Sequence, residues 1–226
     1  MANLVGKDIP NMTYGTQEDY RRLYFSEPTA ALKVPVTIQA GFGVLKMGTV
    51  MAENGSAAGN DGKLIPYDPT LTITGTENAP GRAYLVANSG GAYTVNVTIE
   101  DSYKFAVGDD IIIVDSDLEG AAENLGAITA IDRTTYASYA VITFTTILSD
   151  TFTTAKFAYV VCEGYNTAVG VLEKSVDTGK GSTAGGALGA LILSNAVLYK
   201  GVLLNMDAGA LTDLSATDRG QFTVIK

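Results

Sequence analysis

Few residues in this 226-residue chain can do covalent or acid–base chemistry. There is no histidine. That excludes Ser-His-Asp and Cys-His catalysis, histidine general bases and most zinc sites, and leaves only carboxylate or lysine chemistry open. The single cysteine, Cys162, follows Val160 and Val161 and precedes Glu163. A reactive thiolate needs a basic neighbour, so Cys162 reads as a buried apolar thiol. One cysteine also allows no intramolecular disulfide.

Three stretches imitate functional motifs and fail on a required position. "DSDLEG", 115–120, opens like a calcium loop with Asp115, Asp117 and Glu119, but Gly126 stands where the bidentate glutamate belongs. "DTGKGST", 177–183, suggests a phosphate loop, yet Lys174 replaces the first glycine and Gly181 follows Lys180 in place of Ser or Thr. Asp109 and Asp110 form a carboxylate pair of the kind glycoside hydrolysis uses. Adjacent strand residues point to opposite faces, so they do not converge. No catalytic residue, metal site or cofactor is expected, and the chain does not read as an enzyme.

The elements that would carry any site are mostly strands. Apolar residues make up 46%, glycines number 25, and tryptophan is absent, a mixture that suits β-structure with many turns. "KVPVTIQA" and "FGVLKMGTVMA" read as strands, and "KLIPYDP" ends in prolines Pro66 and Pro69, which do not serve a central ladder. From residue 71, "LTITG", "RAYLVANS", "YTVNVTIE", "DDIIIVDS", "LGAITAIDRTTY", "YAVITFTT" and "AKFAYVVCE" follow at the short spacing of a sandwich or barrel. "AVGVLEKSVDT", 168–178, then reads as a strand companion to 41–55. "LGALILSNAVLYKGVLLN" reads as a strand pair turning near Ser194-Asn195. "DAGALTDLSATDRG" reads as one short helix with Asp207 as its N-cap, and "QFTVIK" as a last strand.

Charge divides the chain. Residues 75–163 hold twelve acids and four bases, a net −8 of the total −9, while 1–34 and 164–226 are neutral and 35–74 carries −1. Net negative charge disfavours nucleic acid as a partner. The N-terminus lacks the basic start and apolar run of a signal peptide. The window 185–205 is long enough to span a membrane, but Asn195, Lys200 and its glycines argue for buried strands. The composition breaks predict a discontinuous body, 35–74 with 164–226, interrupted by an acidic inserted β-domain, 75–163. Residues 1–34 read as an arm, punctuated by Pro10, Gly15 and Pro28, that orders against a partner.

The segments "VTIQAGFGVLKMGTVMAENG", "KLIPYD" and "AVGVLEKSVDT" followed by "ALILSNAVLYKGVLL" resemble the phage-lambda-type head decoration proteins, the cement proteins of tailed phages. The resemblance covers 35–74 and 164–226, under half the chain, and the insert departs from the small single-domain members. It implies a small split β-barrel decoration domain with an N-terminal extended arm; with the inserted β-sandwich or barrel domain that the strand spacing predicts, the fold is mainly β. It also implies a homotrimer on the outer capsid surface of the virion, assembled in the host cytoplasm. The partner would be the major capsid protein, held by the arm through Tyr20, Leu23, Tyr24 and Phe25. Strand addition at a sheet edge gives such an arm affinity, and three arms per trimer give avidity. A second reading makes the insert a surface module for host carbohydrate or envelope, with Tyr84, Tyr93, Tyr103, Tyr136 and Tyr139 as aromatic platforms.

Overall fold

The computed structural model describes residues 23–25, 31–56, 60, 62–68, 79–115, 122–181, 186–216 and 222–225. The chain is mainly β. In order come β1 (Leu32–Ile38), β2 (Phe42–Leu45), β3 (Val50–Glu53), β4 (Leu64–Pro66), β5 (Ala83–Tyr84), β6 (Thr94–Val97) and a single helical turn, α1 (Ile99–Ser102). Then follow β7 (Asp110–Val114), β8 (Glu123–Asp132), β9 (Ala140–Phe144), β10 (Tyr159–Cys162), β11 (Ala168–Leu172), β12 (Val176–Lys180) and β13 (Ala187–Ser194). The last elements are β14 (Ala196–Tyr199), helix α2 (Ala208–Ala216) and β15 (Phe222–Ile225).

Five strands close a barrel in the order β1-β13-β11-β3-β4, with Ile38 beside Leu64 sealing β1 to β4. Along its strands Ile38, Val50, Met51, Leu64, Ile65, Val171, Leu172, Leu191 and Ile192 are all buried, alternate ones facing the barrel interior and the elements packed outside it. So small a barrel needs a close approach at one point. A Cβ at Gly170 would lie 2.7 Å from the Ile192 carbonyl oxygen, so only glycine fits there.

Two stretches that read as single strands each divide. "FGVLKMGTVMA" bends at Lys46–Thr49, where Gly48 has φ +84°, into β2 and β3. "AVGVLEKSVDT" breaks after Leu172 into β11 and β12. The halves still meet: β3 pairs with β11 in the barrel, and β2 pairs with β12 in a separate two-stranded ribbon. Pro66 does enter the barrel, opposite Met51, but as the last residue of β4. The next donor, the Tyr67 N–H, resumes pairing to the Val50 carbonyl at 3.0 Å. β13 and β14 meet at Asn195, whose φ is +55°, yet they do not pair; β14 runs parallel to β15. Asp207 caps α2 as expected, its Oδ1 accepting from the Ala210 N–H at 2.7 Å.

The second sheet has the order β5-β10-β7-β8-β9-β6. It curls until its edges nearly meet: Leu85 bridges Val97, and the Val86 N–H donates to the Asn96 carbonyl at 2.9 Å. Alternation sets its core. Ala140, Ile142 and Phe144 of β9 point inward, as do Ile111 and Ile113 of β7, while Ile112 is half-buried. The strand expected over 93–100 stops at Val97, because the Thr98 hydroxyl accepts from the Asp101 N–H at 3.0 Å and starts α1. "LTITG" lies outside the described residues.

Candidate functional site

The leader enters the body at Leu23-Tyr24-Phe25. Leu23 and Tyr24 are buried in the chain's own core. Tyr24 makes an isolated antiparallel bridge to Leu198, and the Phe25 N–H donates to the Val197 carbonyl at 2.8 Å, so the trio docks beside β14. The Tyr24 hydroxyl donates to Glu173 Oε1 at 3.3 Å. Lys33 pairs with the same carboxylate at 2.5 Å and lies 5.4 Å above the Tyr24 ring. Burial first, and then the Glu173 charge, pushes the Tyr24 phenol well above its ordinary pKa. Leu23 and Tyr24 hold the leader's root to its own barrel, and Phe25, 60% exposed with its ring edge against Tyr199, is the one presented outward. Tyr20 lies outside the described residues.

The five insert tyrosines do not share one platform. Tyr84 is half-buried, edge-on to Tyr159. Tyr103 lies beneath the Arg133 guanidinium, 4.5 Å from its carbon. Tyr93 is exposed by itself at the start of β6. Tyr136 and Tyr139 do come together, stacked at 4.4 Å between centroids in the β8–β9 loop. Asp132 shapes that loop. Its carboxylate accepts from the Thr135 and Thr134 side chains and backbone N–H groups, which holds its pKa down to about 2.

Between barrel and insert sits a polar joint that sequence reasoning missed. Asp109 is fully buried. It accepts from Asn60 Nδ2 at 2.8 and 3.0 Å, from Gln39 Nε2 at 3.1 Å and from the Ala106 N–H at 2.9 Å. Gln39 also donates to the Lys104 carbonyl and accepts from Asn54, whose Oδ1 in turn accepts from Ser56. Burial raises the Asp109 carboxyl above the ordinary range, against the opposing pull of these donors and of Lys63. Cys162 lies at the edge of the joint, buried, with its thiol pKa pushed up by that burial. Nearby, Arg82 grips Asp68 with two bonds of 2.8 Å and covers the Tyr159 ring at 4.4 Å. The sequence marked Cys162 as a buried thiol and Asp109 as half of a carboxylate pair, but nothing in it joined them to Gln39, Asn54 and Asn60, since Asn and Asp beside glycines read as turn formers.

A charged crevice of about 350 Å³ opens beside this joint, lined by Arg82, Tyr84, Glu100, Asp101, Lys104 and Lys180. Its charges pair internally: Lys104 with Asp101, Lys180 with Glu100, and Arg82 with Asp68. Asp115 of the calcium-like stretch is buried 3.4 Å from Lys156; Asp117 and Glu119 lie outside the described residues. Among the described residues no cluster of three or more His, Cys, Asp or Glu could hold a metal ion. No helix among them is long and apolar enough to cross a membrane. No family model matches the chain, and neither a curated protein nor a solved structure matches it significantly.

Proposed function

We propose that this chain is a virion structural protein: a homotrimer on the outer surface of a tailed-phage capsid that stabilises the expanded head by clamping neighbouring major capsid proteins through its N-terminal leader. The observation that carries the reading is where the chain closes on itself. The segments that resemble decoration proteins, within 35–74 and 164–226, supply four of the five barrel strands entirely and most of β1, while the second sheet is built from strands lying between residues 83 and 162. The leader's root is fastened to the side of β14, so a leader leaving it starts from a fixed point. The test mixes the full chain with expanded, undecorated heads. Saturable binding that raises the heads' resistance to heat, and that is lost on removing residues 1–22, is expected. Equal binding by the truncated chain refutes the leader's role.

A second reading rests on the stacked Tyr136–Tyr139 pair, whose outer faces suit a sugar ring. Binding of the full chain on a glycan array, abolished by Tyr136→Ala, would support it.

A further inference from the structure

The joint brings together three groups whose chemistry exceeds what a hydrogen-bond network requires: a lysine amine, a carboxamide and a buried carboxyl. Lys63 Nζ lies 2.6 Å from Asn60 Oδ1, on one side of the amide. Asp109 receives Asn60 Nδ2 on the other side, at 2.8 and 3.0 Å. Asn60 is 5% exposed and Asp109 0%. From these positions we propose that Lys63 and Asn60 become joined by an intramolecular isopeptide bond, with Asp109 moving the protons.

An amide side chain resists amines in water for three reasons. The amine is protonated, the carbonyl is not polarised, and ammonia leaves poorly without a proton donor. The joint adds proximity and supplies a proton donor for the departing nitrogen. Holding amine and amide in contact replaces a bimolecular encounter with a positioned one. Asn60 and Asp109 are buried, and half-buried Lys63 reaches the amide from the edge of the joint. The carboxyl sits on the nitrogen that must depart, the place for a general acid. Burial of Asp109 favours its protonated form, consistent with that task.

The step balances within these residues and solvent. Lys63 passes one proton to solvent, which returns it to the departing ammonia, and its Nζ lone pair forms a bond to Asn60 Cγ as the carbonyl electrons move onto Oδ1. The tetrahedral centre collapses and the Cγ–Nδ2 bond breaks. Nδ2 takes the Asp109 proton and leaves as ammonia, and the Asp109 carboxylate recovers a proton from the attacking nitrogen. In sum, a lysine ammonium and an asparagine amide become a secondary amide and an ammonium ion, with no oxidant or further reactant. The new N–H faces Asp109, so the carboxyl keeps a donor. The product ties the start of β4 to the barrel–insert joint and depends on no reading of the chain's partner.

Mass spectrometry of the intact folded chain tests it. The expected mass is below the sequence mass by one ammonia, about 17 Da. Trypsin should fail to cleave after Lys63, giving one peptide, 47–82, with the same deficit. Lys63→Arg keeps the charge and should restore the full mass, and Asp109→Asn should do the same. A wild-type chain at full mass, cleaved normally after Lys63, overturns the proposal. So does a deficit that survives Lys63→Arg, which marks a succinimide at Asn60 instead. A deficit that survives Asp109→Asn overturns the role given to Asp109.

Discussion

Arg82 and Asp68 offer the sharpest quantitative test of how barrel and insert are joined. Arg82 is 7% exposed and Asp68 0%. The guanidinium donates through Nε and Nη2 to the two carboxylate oxygens, both at 2.8 Å. Burial alone would lower the Arg82 pKa, and Asp68 more than offsets this, so the guanidinium keeps its charge. Replacing Arg82 with methionine keeps much of the side-chain volume but leaves a carboxylate in the interior without its cation. Stranding one partner of a buried pair costs about 3–5 kcal/mol. The lost contact with Tyr159 adds about 0.5–2 kcal/mol. For a chain of this size each kcal/mol moves Tm by about 2–4 °C, so Arg82→Met should lower Tm by roughly 15 °C. The double variant Asp68→Leu/Arg82→Met removes both charges and should recover most of that loss, since a well-packed apolar pair is often neutral beside a buried ion pair. Calorimetry and urea titration of the full chain read both effects. The reasoning is refuted if Arg82→Met lies within about 1 kcal/mol of the parent, or if the double variant is as unstable as the two single losses summed.

Three further outcomes follow from the same geometry. Gly41 has φ +98°, and a Cβ there would strike the Tyr103 carbonyl, so Gly41→Ala should cost roughly 1–3 kcal/mol or more in urea titration; an unchanged midpoint would contradict the close packing of barrel on insert. Leu23→Ala empties a fully buried site and should cost about 2–5 kcal/mol, whereas removing residues 1–22 should shift Tm less; the reverse order would mean the root is not where the body begins. Asp132 has its folded pKa depressed to about 2, so its contribution is present above the ordinary carboxylate range and lost as pH falls through about 2. Asp132→Asn should remove that inflection from the Tyr136 and Tyr139 ring signals in an NMR pH titration; an inflection that persists would assign it elsewhere.

Legibility tracked the kind of signal each element carries. β7 and β9 stand out because isoleucine, valine and phenylalanine crowd short runs between turns, and both strands lie within the expected segments. The Asp207 cap was readable because a side-chain acceptor before an apolar run has a local cause. The breaks inside "FGVLKMGTVMA" and "AVGVLEKSVDT" were not, since Gly48 and Lys174 also occur within strands and only pairing with distant partners decides where a ladder ends. Tyr24 shows the same limit at a candidate site. An aromatic in a Pro- and Gly-punctuated leader looks free, and only the position of Glu173, far away in sequence, shows that the body holds it. Gln39 and Asn60 were invisible, and Asp109 was read only as half of a carboxylate pair, because a polar core has no periodicity to read.

Those same residues change what the insert's charge means. Counting side chains assigns −8 to residues 75–163 and suggests a strongly repelling, solvated passenger. Yet Asp109 is fully buried with a raised pKa, and Asp115 is buried beside Lys156. Asp101 and Glu100 face Lys104 and Lys180 across the crevice. Only Asp109, held by Asn60 and Gln39, and Glu100, paired with Lys180, are spent at the seam; the Asp115 and Asp101 pairs lie within the insert and are already counted in its −8. Pulling the insert away would leave Asp68 and Arg82 each without its buried counter-charge and strip Asp109 of its Asn60 and Gln39 donors, costs that a flexible tether would not carry. A load applied at the Tyr136–Tyr139 loop is thus resisted at the barrel itself, to which the leader's root is fixed. In the proposed assembly, the outward sheet and the shell-bound leader would act as parts of one stiff body.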